Sequence, residues 1–134
     1  MLFRSGAGFD SGHSIVVDNN GNVYTTGGFY GTGDFDPGSG IYNLTSYGSS
    51  DIFVSKLDVS GNFLWAKQMG GAGQDHVASI SVDDNGTVYT TGGFYGTSDF
   101  DPGSGTYNLT SIGDEDIFVS KLDVSGNFVW ARCV

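Results

Sequence analysis

The stretch TTGGFYGTGDFDPGSG, residues Thr25–Gly40, decides the fold of this chain because it occurs twice. Its second copy, Thr90–Gly105, lies 65 residues later and differs at one position, where Ser98 replaces Gly33. Both copies combine small and aromatic residues with an acidic DFDPG segment. We therefore asked how far the similarity extends on either side of these two copies.

The repeat extends over almost the whole 134-residue chain. A shift of 65 positions aligns residues 6–69 with residues 71–134 without a gap, and 48 of the 64 pairs are identical. Long internal repeats are typical of stacked supersecondary units, none of which can bury its apolar faces alone. We divide the chain into repeat 1, residues 1–69, and repeat 2, residues 70–134. Each has a length that suits a four-stranded propeller blade with an insertion.

Each repeat contains two β-hairpin patterns and no segment of helical periodicity. In repeat 1, Ser14–Asp18 and Val23–Phe29 flank the turn NNGN, while Asp51–Asp58 and Phe63–Met69 flank the turn VSGN. The glycine in each turn allows the positive φ that a tight hairpin needs. The pattern recurs in repeat 2, with its first strand near residues 79–83. The sequence predicts an all-β chain with four antiparallel strands in each repeat.

The third strand of each repeat is apolar on both faces. Ile52 and Val54 point to one side of the strand, and Phe53 and Leu57 point to the other. A sheet in a simple sandwich has one polar face, so this pattern favours blades stacked between two neighbours. Two blades leave two outer faces, and we expect further copies to cover them in a homotrimer, a homotetramer or an open array. The predicted interface residues are Ile52, Phe53, Val54, Leu57, Ile117, Phe118, Val119 and Leu122.

Two long segments carry a resemblance to a known family. Asp18–Gly38 (DNNGNVYTTGGFYGTGDFDPG) and Asp51–Asp75 (DIFVSKLDVSGNFLWAKQMGGAGQD), with their copies in repeat 2, resemble the bacterial seven-bladed β-propeller repeat family. The resemblance implies a propeller fold and an extracellular or cell-surface location, and it supplies no catalytic residues. No signal peptide is visible in this chain. The chain departs from the family in having two repeats rather than seven.

Composition excludes several classes of partner. The chain has 15 acidic and 5 basic residues, a formal net charge of −10. Such a surface repels phosphate backbones and anionic lipids, so we expect no nucleic-acid binding. No apolar run is long enough for membrane insertion. The single cysteine, Cys133, cannot form an intramolecular disulfide.

The acidic loops between the second and third strands are candidate calcium sites. Asp34 and Asp36, with their copies Asp99 and Asp101, place two carboxylates two residues apart before a glycine. The further acidic ligands of a D-x-D-x-D-G calcium loop are missing. The alternative is an Asp-Pro-Gly turn in which the aspartate binds the local backbone. Calcium is therefore the one candidate cofactor, and no other is expected.

Tyrosines near these loops are candidates for glycan binding. Tyr30, Tyr42, Tyr95 and Tyr107 lie beside the acidic segments. Rings and hydroxyls displayed on loops of a rigid scaffold suit sugar recognition. The alternative is that Phe29, Tyr30 and Phe35, with their copies, form a small core under the insertion.

The sequence contains no constellation for catalysis. His13 and His76 do not occupy equivalent positions, and no Ser/His/Asp arrangement recurs. We therefore expect a non-catalytic structural or assembly module that self-associates into a propeller. The alternatives are a lectin-like or calcium-dependent binding module using the acidic loop face, and a subunit of an extracellular filament.

Overall fold

The computed structural model describes residues 6–134, so the first five residues of repeat 1 lie outside the described part. This part contains ten strands, and every pairing between them is antiparallel. They are β1 (Asp10–Val17), β2 (Val23–Phe29), β3 (Thr32–Asp34), β4 (Asn43–Thr45), β5 (Asp51–Leu57), β6 (Phe63–Gly71), β7 (Asp75–Val82), β8 (Val88–Asp99), β9 (Asn108–Leu122) and β10 (Phe128–Cys133). The prediction of an all-β, antiparallel chain is confirmed. Residues 6–134 include no helix with the length and apolarity to cross a lipid bilayer.

Eight of the ten strands form two four-stranded sheets, and within residues 6–134 β3 pairs with β4 alone. The first sheet has the order β1-β2-β5-β6, and the second sheet has the order β7-β8-β9-β10. The end of β6 joins them, because Gly70 and Gly71 pair with Asp99 and Ser98 of β8. Strand β6 therefore runs past Met69, the last residue that we assigned to repeat 1.

The first strand of each repeat begins earlier than predicted and contains a β-bulge. Strand β1 begins at Asp10, whereas the sequence predicted a start at Ser14. The register passes from Gly12↔Gly27 to Ser14↔Thr26, which leaves His13 as an extra residue. The bulge interrupts the side-chain alternation by which a strand is recognised in a sequence. Strand β7 has the same bulge at Ala78.

Aspartates stabilise the four hairpin turns on one rim of the sheets. Asp58 Oδ1 accepts hydrogen bonds from the backbone N–H of Ser60 at 2.8 Å and of Asn62 at 2.9 Å. The Asn62 side chain donates to Asp58 Oδ2, and these bonds lower the pKa of Asp58. Gly61 follows with φ 81°, as the turn requires. The equivalent aspartates are Asp18, Asp83 and Asp123.

The main core lies between the two sheets. The first sheet supplies one face, which includes Ile52 and Val54, and the second sheet supplies the face that includes Phe118 and Leu122. The full set of buried core residues is Tyr24, Ile52, Val54, Met69, Val77, Ile80, Val88, Phe94, Phe100, Phe118, Leu122 and Ala131. Each sheet thus has one inner face in this core and one outer face on which large apolar residues such as Ile15 and Ile117 are exposed.

Candidate functional site

The insertions of both repeats fold as two-stranded ribbons on the rim opposite the aspartate turns. In repeat 1 the ribbon is β3 paired with β4, from Thr32↔Thr45 to Asp34↔Asn43. In repeat 2 the same pairing continues β8 and β9. We call residues 6–9, 30–50, 72–74 and 95–115 the insertion rim. This rim displays the candidate residues that the sequence singled out.

The first aspartate of each DFDPG segment closes the insertion. Asp34 Oδ1 accepts hydrogen bonds from the N–H groups of Asp36 at 3.0 Å and Tyr42 at 2.9 Å. Asp99 Oδ1 does the same with Asp101 and Tyr107, at 3.0 and 2.8 Å. These bonds tie the start of the loop to its end.

The second aspartate forms the turn that Asp-Pro-Gly predicts. Asp36 Oδ1 accepts from Gly38 N–H at 2.7 Å, and Asp101 Oδ1 accepts from Gly103 N–H at 2.8 Å. A Cβ at Gly40 would lie 2.2 Å from Asp36 Oδ2, so a side chain there would displace this carboxylate. Residues 6–134 contain no group of three or more Asp, Glu, His or Cys side chains that would jointly hold a metal ion. The geometry favours the turn interpretation, and calcium binding stays a prediction.

The four candidate tyrosines have different environments. Tyr42 packs against Phe63 with ring centroids 5.0 Å apart, and Tyr107 packs against Phe128 at 4.8 Å. Tyr95 donates its hydroxyl to Glu115 Oε2 at 3.3 Å. Tyr30 is 52% exposed, and its backbone is fixed by the bond from its N–H to the Phe9 carbonyl at 3.1 Å. Tyr30 is thus the tyrosine of this group that presents an open ring on a fixed backbone.

A phenylalanine trio lies under each insertion. Phe35 of the DFDPG segment contacts Phe29 and Phe53, with centroid distances of 5.2 and 5.0 Å. In repeat 2 the trio is Phe94, Phe100 and Phe118. The phenylalanines therefore anchor the ribbon to its sheet, while Tyr30 lies outside the trio.

Two buried carboxyls meet where the sheets join. Asp51 and Asp75 are fully buried, and burial raises the pKa of Asp51 to about 6, with the nearby Asp75 charge adding to the rise. Burial also raises the pKa of Asp75. Asp51 Oδ2 accepts from Gln68 Nε2 at 2.7 Å and Tyr47 N–H at 3.0 Å. Asp51 Oδ1 has no hydrogen-bond partner within the described chain.

His13 and His76 lie near the junction of the sheets and have different roles. His13 Nδ1 donates to the Val77 carbonyl of the second sheet at 2.6 Å, and Nε2 is 2.9 Å from Ser11 Oγ. His76 Nε2 lies 2.7 Å from Glu115 Oε1. The bulge explains the reach of His13, because the extra residue is released from the strand pairing.

A cleft on the insertion rim lies between loops of the two repeats. It has a volume of about 300 Å³, and the residues that line it include Phe9, His13, Tyr30, Ser50, Gln74 and His76. Of these, Tyr30 alone was among the predicted ligand-binding residues. The sequence analysis missed the other five because it considered residues that occur at equivalent positions in both repeats, and these five do not. The signal in the sequence is that five of these six residues occupy positions where the repeats differ.

The eight predicted interface residues divide into two groups. Four belong to the core between the sheets of one chain: Ile52, Val54, Phe118 and Leu122. The other four share the alternate faces of β5 and β9 and lie on the outer faces: Phe53 and Leu57 on the first sheet, Ile117 and Val119 on the second. Phe53 is covered by its own insertion through Phe35.

Comparison with known proteins gives a distant similarity. No family model matches the chain. It is 32% identical over 100 residues to the uncharacterized WD repeat-containing protein L264 of Acanthamoeba polyphaga mimivirus, covering 63% of this chain and 7% of that protein. It is 28% identical over 117 residues to the regulatory protein FlaEY of Caulobacter vibrioides, covering 87% of this chain and 12% of that protein. The chain therefore spans a small part of the length of these curated relatives. The similarity to a WD repeat-containing protein suggests a repeat of the β-propeller type.

Proposed function

We propose that the chain is a non-catalytic assembly module, a pair of propeller blades that other copies of the chain complete. Each four-stranded sheet is one blade. The observation that carries this proposal is that two pairs of equivalent isoleucines, one pair on each side of the sheets, have opposite exposure in the two repeats. Each blade shows to solvent the face that its counterpart buries.

Two isoleucine pairs illustrate this reciprocity. Ile15 on the first sheet is 67% exposed, whereas its equivalent in repeat 2, Ile80, is 7% exposed against the first sheet. Ile52 is fully buried against the second sheet, whereas its equivalent, Ile117, is 55% exposed. The outer face of the second sheet therefore carries Ile117, the equivalent of a residue that the first sheet buries in the core, and the outer face of the first sheet carries Ile15, the equivalent of a residue that the second sheet buries there.

Polar contacts between the blades also have equivalents on the outer faces. Trp65 Nε1 donates to the Val124 carbonyl across the blades at 3.3 Å. The equivalent pair is Trp130 with the Val59 carbonyl of the next copy. Asn19 Nδ2 donates to Asp84 Oδ1 at 3.0 Å, and these two residues are themselves equivalent in the repeat. The same pair would therefore meet again between copies.

The burial of the outer faces supplies the driving force for assembly. Moving each large apolar side chain, such as Ile15 or Ile117, out of water contributes about 1.5–3 kcal/mol. Head-to-tail contacts of this kind close a ring when the rotation per chain permits, and otherwise build a filament. Two blades per chain give six blades in a trimer or eight in a tetramer. We favour a closed trimer or tetramer.

The mass of the protein in solution tests this proposal. Light scattering coupled to size-exclusion chromatography, together with native mass spectrometry, should give three or four times the chain mass of 14.1 kDa. A concentration-dependent series of larger species would support the filament alternative. A stable monomer at tens of micromolar chain would refute self-association.

A further inference from the structure

The cleft of about 300 Å³ on the insertion rim has the size of a small-ligand site. One chain supplies all of its lining residues, from loops of both repeats and from strands β1, β2 and β7. It therefore does not depend on the proposed self-association. Gly28 of β2 contributes to the wall, and Asp75 of β7 is a buried group beside it.

Positions that differ between the repeats are more frequent among the cleft residues than in the chain as a whole. Sixteen of the 64 aligned pairs differ, which is one in four, whereas the ten lining residues belong to eight aligned pairs, of which five differ. The pairs concerned are Phe9 and Gln74, Ser11 and His76, His13 and Ala78, Ser49 and Asp114, and Ser50 and Glu115. The cleft thus has a surface that the equivalent positions of the repeat do not reproduce. In repeat 2 the positions equivalent to Ser49 and Ser50 carry Asp114 and Glu115.

The exposed groups of the cleft combine open aromatic rings with neutral polar side chains. Phe9 is 79% exposed and lines the same cleft as Tyr30, and the Tyr30 N–H to Phe9 carbonyl bond holds the two backbones together. Ser50 and Gln74 supply a hydroxyl and an amide at the same opening. A saccharide ring suits such a surface, because it offers an apolar C–H face to aromatic rings and hydroxyls to polar groups.

The negative charge of the chain and of the carboxylates near the cleft disfavours acidic ligands. Asp75 is buried at the cleft, Glu115 lies 2.7 Å from His76, and the whole chain has a net charge of −10. This field disfavours phosphate, sulfate and carboxylate groups. Uronic and sialic acids should therefore bind less well than neutral sugars.

We propose that this cleft binds a neutral saccharide of one or two rings, with Tyr30 and Phe9 as the stacking residues and Gln74 and Ser50 as hydrogen-bonding groups. The two outer faces assemble the module, and the cleft supplies its ligand recognition. The acidic DFDPG loops take no part, since their carboxylates bind their own backbone.

Saturation-transfer NMR and calorimetry on the full chain test the site. The probes are glucose, galactose, mannose, fucose, N-acetylglucosamine and the β-linked disaccharides of glucose and N-acetylglucosamine, with glucuronic acid as the anionic comparison. At least one neutral probe should bind, and Tyr30→Ala should weaken it about tenfold, as expected for loss of one ring contact. Tyr95→Ala is the matched control at the equivalent exposed tyrosine and should leave the affinity within about twofold.

A pair of glycine variants provides a second test that does not depend on an aromatic ring. A Cβ at Gly28 would meet no atom closer than the Asp51 carbonyl at 3.8 Å, so Gly28→Ala should fold and narrow the cleft. Gly12 does not line the cleft, and a Cβ added there would have no atom within 4 Å, so Gly12→Ala is the control. Binding should fall with the first variant and persist with the second. The proposal is overturned if no neutral probe binds at about 20 mM, if Tyr95→Ala weakens binding as much as Tyr30→Ala, or if glucuronic acid binds best.

Discussion

Ser98 Oγ donates a 2.7 Å hydrogen bond to the buried Oδ1 of Asp75, and the glycine at the equivalent position of repeat 1 removes this donor from Asp10. In both repeats the other carboxylate oxygen accepts a backbone N–H, from Gly71 to Asp75 at 2.8 Å and from Gly6 to Asp10 at 2.9 Å. Asp10 Oδ1 has no partner in the described chain. The single difference within the two DFDPG stretches thus has a direct structural consequence.

The Gly33→Ser variant should stabilise the protein. A hydroxyl at position 33 would supply the donor that Asp10 Oδ1 lacks, and a serine also restricts the unfolded chain more than glycine does. We expect a gain of about 1 kcal/mol in the free energy of unfolding. Urea unfolding measures it, with Ser98→Ala as the reciprocal variant that should lose about 1–3 kcal/mol by leaving Asp75 Oδ1 unpaired. Equal stabilities of Gly33→Ser and the unmodified protein would contradict this interpretation.

Stability should fall as the pH rises from about 4 to about 6. The pKa of Asp51 is raised to about 6 in the fold, against about 3.9 in an unfolded chain. At Asp51 the folded protein therefore binds more protons than the unfolded chain in this range. The stability that this residue contributes is greatest at the acidic end and is lost as pH rises through the folded pKa. The size of the effect is about 2–3 kcal/mol.

The Asp51→Asn variant should remove most of this pH dependence. An amide cannot ionise, and it keeps an oxygen for the bonds from Gln68 and Tyr47. A smaller slope should remain from Asp75, whose pKa is also raised by burial. Urea midpoints between pH 4.5 and pH 8 measure both slopes. An unchanged slope in the variant would show that Asp51 is not the responsible group.

The Asp34→Ala variant should destabilise the insertion of repeat 1 whether or not calcium is present. Asp34 accepts two backbone hydrogen bonds, so its removal should cost about 2 kcal/mol. Thermal melts with about 5 mM EDTA or about 5 mM CaCl₂ measure the effect under both conditions. A calcium-dependent rise of Tm that Asp34→Ala or Asp99→Ala abolishes would instead support the calcium interpretation.

The sequence predicted the regular parts of the fold well, because turn chemistry and side-chain alternation are local signals. Strand β2 occupies Val23–Phe29 as predicted, and the turn glycine Gly61 has the positive φ that was expected. The bulge at His13 has no local signature in the sequence, so the first half of β1 was not recognised. Pairing of Gly70 and Gly71 with β8 depends on how two sheets meet, which alternation within one strand does not report.

The candidate site was harder to predict, because it depends on contacts between distant residues. Tyr30 and Tyr42 look alike in the sequence, but Tyr42 packs against Phe63 and Tyr30 faces the cleft. Phe9 and His76 line the same cleft although 67 positions separate them. Residues common to both repeats specify the scaffold, whereas most residues of this cleft are not shared between the repeats.

Charged substitutions on the outer faces should block assembly on one side of each chain. Ile15→Asp places a carboxylate on the outer face of the first sheet, and Ile117→Asp places one on the outer face of the second. Burying an unpaired charge at such a contact costs more than the contact gains. Each variant alone should therefore be a monomer of 14.1 kDa. The exposed Ile41 of the insertion gives the control Ile41→Asp, which should assemble like the unmodified protein.

Mixing the two variants distinguishes head-to-tail contacts from contacts between like faces. An Ile15→Asp chain keeps an intact second sheet, and an Ile117→Asp chain keeps an intact first sheet, so one productive contact remains between them. The mixture should form a heterodimer of twice 14.1 kDa and nothing larger, because both remaining faces carry a charge. Native mass spectrometry with one isotope-labelled variant identifies the pair. If copies instead join through like faces, one variant alone will still dimerise, and if the mixture stays monomeric, the reciprocal exposure of Ile15 and Ile117 does not reflect contacts between copies.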